Sequence, residues 1–309
     1  MEIQLIKQVE FQNIDWNSYD VIFLSCGFEA RSTHVFQSIP NECHEKCVIL
    51  GFHPEKEILS RFNNRDIYNN FNLKSLIFSD PGGYDAAIKD KLELFSNNNN
   101  SIKIFVDYSA MTRLWYGYLI TWLRYSGSVN SAIIDFCYVS GEYIGDFSNF
   151  QIKETIPLSG FEGATAGTRR TVALYGLGYD QYATLAVHEM IEPDSFICFM
   201  AANENDDDGL SIVSRENRQI IELSGRSPII LPFYNIENIV DSLIQVIDGL
   251  RDNDEIMVVP MGPKTHVLAS LLASHKRDRL TCIHTVGERL QPVQVNARNN
   301  ISCCRIEYK

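Results

Sequence analysis

Short runs rich in β-branched and aromatic residues alternate along the chain with longer stretches of helical spacing. In the first half this pattern predicts strands at "DVIFLSC" (20–26), "KCVILGF" (46–52), "SLIFSD" (75–80), "IKIFVDY" (102–108) and "AIIDFCYV" (132–139). Strands that are apolar without clean alternation are buried on both faces, as in a parallel sheet covered by helices. Helices fit the intervals after Arg31, after Glu55, after Tyr84 and from Leu114 to Tyr125. Strands alternating with helices in this way are βαβ units.

The second half repeats the rhythm, with strands predicted at "RTVALYG" (170–176), "SFICFMA" (195–201), "PIILPFY" (228–234), "DEIMVVPMG" (254–262) and "LTCIHTVGE" (280–288). Helices fit Tyr182–Met190, Ser214–Leu223, Ile236–Leu250 and Thr265–His275, and the pair Cys303 and Cys304 marks a terminal strand. "GFEAR" at Gly27 corresponds to "GYDQY" at Gly178, an offset of 151, and "FVDYSAMTR" corresponds to "VVPMGPKTH", an offset of 153 from Asp107 to Pro260. A nearly constant offset predicts duplication of one unit. The expected fold class is α/β, as two tandem Rossmann-like units with mostly parallel sheets covered by helices: residues 1–150 a ligand-sensing unit, residues 151–309 a second unit and degenerate repeat. Between the cores, "IPLSGFEGATAGTRRTVALYG" (156–176) reads as a linker, or as a loop closing over a ligand with Arg169 or Arg170.

Composition narrows the classes. At 309 residues, 45% hydrophobic and 21% charged, the chain has room for two folded domains. No apolar run reaches the roughly 18 residues of a membrane span, and the N-terminus has no signal pattern, so a cytoplasmic protein with no membrane partner is expected. The eight cysteines are scattered, which predicts reduced thiols. Cys43 and Cys47 have a loosely zinc-like spacing with no second pair nearby, and no metal site is expected. A net charge of −12 argues against an extended nucleic-acid surface while leaving room for a small nucleotide in a local pocket.

Ligands of open α/β sheets bind outside the carboxyl ends of the strands, where helix N-termini favour phosphates. The polar clusters of this chain fall at such ends. After the first strand come Gly27, Glu29 and Arg31; after the fourth come Asp107, Ser109, Thr112 and Arg113. In the second half the corresponding residues are Gly178 and Asp180, then Gly262, Lys264 and His266. Each cluster has a plain reading. Ser109 or Thr112 can cap the next helix, "SDPGGYD" (79–85) can be a turn using Gly82 and Gly83, and Glu29 can sit in a first helical turn, with a pairing of Glu29 to Arg31 or Arg113 inside the cleft as the functional alternative. Arg113 fits the plain reading least, because a cation is disfavoured at a helix N-terminus unless an anion binds there. Gly178 belongs to an incomplete glycine fingerprint, with Gln181 where its third glycine would be. "ENDDDG" (204–209) fails calcium-loop spacing because Arg215 stands at the required Glu, which leaves a solvated acidic loop, with ribose or Mg²⁺ binding by Asp206–Asp208 as the alternative. No nucleophile elbow, Walker loop or His-Glu-x-x-His motif occurs, since "HEMIE" at His188 lacks the second histidine. Of the isolated histidines His53, His188, His266, His275 and His284, only His266 stands at a strand-end loop beside a lysine. The catalytic candidates are therefore Glu29, His266 and Lys264, with a satisfied core histidine as the plain alternative.

The run Asp107-Tyr-Ser109-Ala-Met-Thr-Arg113 resembles the motif of the CARF superfamily, the CRISPR-associated Rossmann-fold domains that sense oligonucleotides. That motif is Asp or Asn, any residue, Ser or Thr, three residues, then Arg or Lys, at the end of the fourth strand. The resemblance covers residues 18–145 and extends to the glycine-containing loop "CGFEARS" after the first strand. It implies ligand recognition by Ser109, Arg113 and backbone amides around Gly27. The second half departs from it, with Pro260, Gly262 and His266 at the motif positions. The tandem arrangement is similar to SAVED domains, which are pseudo-dimers of such units. The expected function is a nucleotide-binding sensor or effector of a prokaryotic defence or stress response, working through a protein partner or a homo-oligomer. The alternatives are a nucleotide- or NAD-processing hydrolase or transferase, and a non-catalytic adaptor subunit built on the aromatic helix around Trp115, Tyr116 and Tyr118.

Overall fold

The segment Val21–Cys26 is buried at every position, which accounts for its lack of alternation. It lies inside the larger of two sheets in the computed structural model, which describes residues 1–52, 58–77, 83–96, 100–144, 150–163, 170–202, 207–289 and 292–309. The first part of the chain runs β1 (Ile3–Val9), β2 (Val21–Cys26), β3 (Cys47–Gly51), α1 (Arg61–Asn69), β4 (Leu76–Ile77), α2 (Gly83–Ser96), β5 (Ser101–Asp107), α3 (Arg113–Tyr125) and β6 (Ser131–Ile144). The rest runs β7 (Phe150–Pro157), β8 (Thr171–Gly176), α4 (Gln181–Ile191), β9 (Ser195–Ala202), α5 (Asp207–Glu216), α6 (Arg218–Ser224) and β10 (Ile229–Pro232). It continues through α7 (Ile236–Asp248), β11 (Glu255–Pro260), α8 (Lys264–Lys276), β12 (Leu280–Arg289) and β13 (Gln294–Tyr308).

The two sheets have the orders β1-β13-β6-β5-β2-β3-β4 and β10-β9-β8-β11-β12-β7. Numbering the parallel strands of each from its own start, both read 3-2-1-4-5, followed by an antiparallel strand beside the fifth. This is the Rossmann-like α/β architecture that the strand rhythm predicts, built twice. The order reverses between β2 and β5 in one sheet and between β8 and β11 in the other.

The chain divides into two units, residues 1–146 with 292–309, and residues 147–291. The division differs from a boundary at 150 chiefly in the last segment: β13 follows the fifth strand of the second unit but pairs with β6, the fifth strand of the first. Reciprocally, β7 follows β6 and pairs with β12. Each unit thus receives its antiparallel strand from the continuation of the other.

Local chemistry explains where elements depart from expectation. After Arg31 the chain forms 3-10 turns at Ala30–Thr33, Phe36–Ser38 and Asn41–Lys46 in place of an α-helix. Here Ser32 Oγ bonds the backbone at Ser25 and Gly27, and Pro40 has no N–H to give. The helix expected at 214–223 breaks at Asn217, whose side-chain amide takes the Val213 carbonyl. By contrast α7 has its cap, Asn235 accepting from the Asn238 amide, and a buried stripe of Ile236, Ile239, Val240, Leu243 and Ile247. All eight cysteines are free thiols, and among the described residues no cluster has the makings of a metal site. No described helix is long and apolar enough to cross a membrane.

One buried ion pair fastens β13 to β6. Asp135 is fully buried and accepts two bonds of 2.8 Å from Arg305, and Tyr19 donates to the same carboxylate. Burial, with Asp135 second, pushes the Tyr19 hydroxyl well above its ordinary range, which keeps it a donor. Arg305→Ala is expected to destabilise the protein by about 3–5 kcal/mol, because it strands a buried carboxylate. Lys7→Ala on β1, the other neighbour of β13, which removes an exposed 3.6 Å pair with Glu307, is expected to cost under about 1 kcal/mol. Urea denaturation of both variants checks the contrast.

Candidate functional site: the strand-end loops at the two switch points

In the first unit the loops after β2 and β5 meet beside each other, Gly27 lying against Ala110 and Phe52. The β2 loop is clamped from beneath. Asn64 of α1, 2% exposed, donates to the carbonyls of Gly27 (2.9 Å) and Glu29 (2.8 Å), while the Gly27 amide donates to Ser32 Oγ. Arg31 is buried at 1% exposure. Its Nε donates to Glu29 at 2.6 Å, and its Nη1 donates to the Val139 carbonyl and the Tyr138 hydroxyl. Glu29 and Arg31 therefore form an internal pair, and the Gly27 amide is spent within the loop.

The β5 loop distributes its polar groups unequally. Asp107 accepts from the amide and the hydroxyl of Ser109, and Ser109 Oγ accepts from the Val139 amide of β6 at 2.8 Å. Both residues are essentially unexposed, so Asp107 and Ser109 tie the loop to the neighbouring strand. Thr112 stands at the N-cap of α3 with extended backbone, yet makes no capping bond. Its Oγ1 is buried without a partner among the described residues, and so is Nη1 of Arg113 beside it. Neither Ser109 nor Thr112 caps the helix. What the loop holds unspent is a hydroxyl and part of a guanidinium, at the positive end of a 13-residue helix. An aromatic pair, Phe52 and Trp115 with ring centroids 4.6 Å apart, lies against this corner.

The second unit closes its switch point with backbone. A Cβ on Gly178 would stand 2.2 Å from the Met261 carbonyl oxygen, and one on Gly262 would stand 2.9 Å from that of Leu177. The loops after β8 and β11 touch there, and only glycine fits either face. Asp180 caps α4, accepting from the amides of Tyr182 and Ala183 at 3.2 Å each. Lys264 opens α8. Thr265 follows, fully buried with its hydroxyl unpartnered among the described residues, at the position that corresponds to Thr112. His266 is a core residue: it stacks near Phe199 and its Nε2 donates to the Pro232 carbonyl at 2.9 Å. Because a carbonyl can only accept, the hydrogen is on Nε2, and burial holds the imidazole neutral, pulled down to about 4.

Several other sequence candidates have different settings. Arg170 is bound bidentately to buried Asp254 at the start of β8. Cys43 donates to Asn17, and burial pushes the Cys47 thiol up to about 12. His53, Gly82, Arg169 and Asp206 lie outside the described residues, as do the side chains of Asp207 and Asp208.

The pair of asparagines is the feature that strand-end reasoning misses. Asn217 donates to the Gly178 carbonyl at 2.7 Å as Asn64 does to that of Gly27, and it too is buried. The two are 153 apart, the spacing of Asp107 and Pro260, within the related runs Asn64-Arg65-Asp66-Ile67 and Asn217-Arg218-Gln219-Ile220. The signal was present in α1 and at the break between α5 and α6, away from the strand-end loops. No known family model matches the chain, and no curated protein matches it at a significant level. The fold class, two Rossmann-like α/β units, is what the structure itself establishes.

Two outcomes follow from these settings. His266 has a folded pKa below its unfolded value near 6.5, so the unfolded chain binds a proton that the folded chain refuses. Stability is therefore expected to fall by up to roughly 3 kcal/mol as pH drops from about 6.5 to about 4. In His266→Gln, urea unfolding at stepped pH should show a shallower slope across that window. Gly178→Ala should destabilise by about 1–3 kcal/mol through the clash with Met261, while Gly27→Ala, whose Cβ would make ordinary 3.4 Å contacts, should cost about 1 kcal/mol or less. Thermal melts of the two variants read the difference.

Proposed function

We propose that the protein is a nucleotide-binding sensor of a prokaryotic defence or stress response. In this reading it takes an oligonucleotide or dinucleotide at the carboxyl ends of the first unit's strands and acts through a protein partner or a second copy of itself. The observation that carries the reading is the unspent pair at the β5–α3 junction, Thr112 Oγ1 and Arg113 Nη1, both buried without a partner among the described residues. They stand at a helix N-terminus beside the switch point of a 3-2-1-4-5 sheet, where phosphates are favoured. The likeness of "DYSAMTR" to the CARF motif supports the ligand class. The aromatic pair Phe52 and Trp115 supplies the apolar surface that a base requires.

Binding is preferred to turnover because two catalytic candidates are committed elsewhere, Glu29 to Arg31 and His266 to the Pro232 carbonyl. Calorimetry with linear and cyclic oligoadenylates, dinucleotides and NAD should give heat with at least one ligand, which chromatography then recovers intact. Arg113→Ala is expected to weaken that binding by about tenfold or more, with unchanged circular dichroism. Absence of heat with every member of the panel overturns the reading.

A further inference from the structure

Two thiols face each other where β13 joins β6. Cys303 stands opposite Cys137 in the register, so both side chains lie on one face of the sheet. They belong to the same core cluster, Cys137 unexposed and Cys303 1% exposed. Cys304, the next residue, is opposite Phe136 and points to the other face. Cys26, also in the cluster, is separated from Cys137 by the whole of β5. Cys43 and Cys47 are neighbours too, but their thiols donate to Asn17 and to the Cys43 carbonyl.

In the closed sheet the facing pair is inert. Burial first, then the adjacent Cys303 thiol, holds the Cys137 thiol well above its ordinary range, and only the thiolate reacts. The ladder supplies a way to open it. β1 ends at Val9, opposite Cys303, so upstream of Cys303 β13 pairs with β6 alone among the described strands. In that stretch the register jumps from Ala297 opposite Gly141 to Ile301 opposite Val139, a bulge that interrupts the ladder beside the cysteines. Fraying from that side reaches Cys303 without unfolding the parallel core. Directly opposed residues of an antiparallel pair carry Cβ atoms about 4.5–5.5 Å apart, whereas a relaxed disulfide has about 3.8 Å. A bond here forms under strain and is readily reduced. We propose that Cys137 and Cys303 are a reversible redox pair: a small-molecule disulfide converts them to a cross-strand bond that fixes β13 to β6, and excess thiol restores them. Cys303 loses its proton and attacks the small disulfide, releasing one thiol and leaving a mixed disulfide. Cys137 then attacks the Cys303 sulfur and releases the second thiol, so two protein thiols are oxidised and one disulfide is reduced to two thiols. The bond would tighten the strand behind the candidate site, since Val139, two residues from Cys137, receives Ser109 and Arg31.

The test uses the full chain, fully reduced and then incubated with oxidised glutathione at mildly alkaline pH. After quenching and denaturation, alkylation should find six free thiols in place of eight, and the intact mass should fall by two hydrogens. A non-reducing peptide map should show the Cys137 peptide joined to that of Cys303. The oxidised protein should melt about 5 °C higher than the reduced one, and dithiothreitol should reverse both changes. Cys304→Ala should behave as wild type, and Cys303→Ala should keep all its thiols. The wild-type map decides the matter even if a variant fails to fold. Eight thiols still alkylated, glutathione adducts without a cross-link, or a bond between any other cysteines overturns the proposal. A Cys137–Cys303 bond that leaves the melting temperature unchanged or lower overturns it as well, because the bond would then form only in unfolded chains.

Discussion

The pairing of β13 with β6 is the constraint on which the first unit depends. Without it β6 is an edge strand and the Asp135 carboxylate keeps Tyr19 but loses its cation. A buried ion pair adds little net stability over an apolar pair of the same shape, but it penalises wrong partners and wrong registers heavily. Arg305 meets Asp135 only when β13 is in its observed register, so the pair selects an alignment that the apolar residues around it would leave less sharply defined. The same ladder positions Val139, whose amide and carbonyl receive Ser109 and Arg31. The candidate site is thereby held by a strand that the chain supplies from beyond the other unit.

The two units keep one framework and fill its switch point differently. An asparagine under each first loop satisfies the glycine carbonyl that a buried turn would otherwise leave unpaired. Over that shared clamp the first unit places side-chain donors, and the second places two glycines in backbone contact. A crevice lined by donors can exchange its missing bonds for those of a ligand. A junction filled by its own backbone has little to exchange, and among the described residues Thr265 there resembles Thr112 in its buried, unpartnered hydroxyl.

The parallel core was legible because its physics is written strand by strand. β2, β5, β8 and β11 are covered on both faces, so their apolar runs stand out without alternation. The loops at the carboxyl ends were legible as polar clusters, and those clusters do stand at the two switch points. The antiparallel strands were harder. β7 carries exposed Gln151, Lys153 and Glu154, and it reads as loop; β1 is similarly mixed. That Cys303 and Cys304 form a strand could be read locally, but its partner 166 positions upstream could not, since Cys303 faces Cys137 through register alone. Within the site, residue type separated poorly from role. Asp107 and Ser109 are the best matches to a motif and are spent on each other, while Thr112 and Arg113 beside them keep unpartnered atoms.

Reciprocal strand donation has a consequence in time. About 150 residues separate the end of β6 from the start of β13. At about 5–20 residues per second, a ribosome takes roughly 8–30 s to cross that interval. Throughout it the nascent first sheet has an open outer edge, the arrangement most prone to pairing with a neighbouring chain. Folding of this protein is therefore gated by translation. Its most exposed intermediate exists on the ribosome, where a holdase that covers strand edges would matter more to yield than it does to refolding of the finished chain.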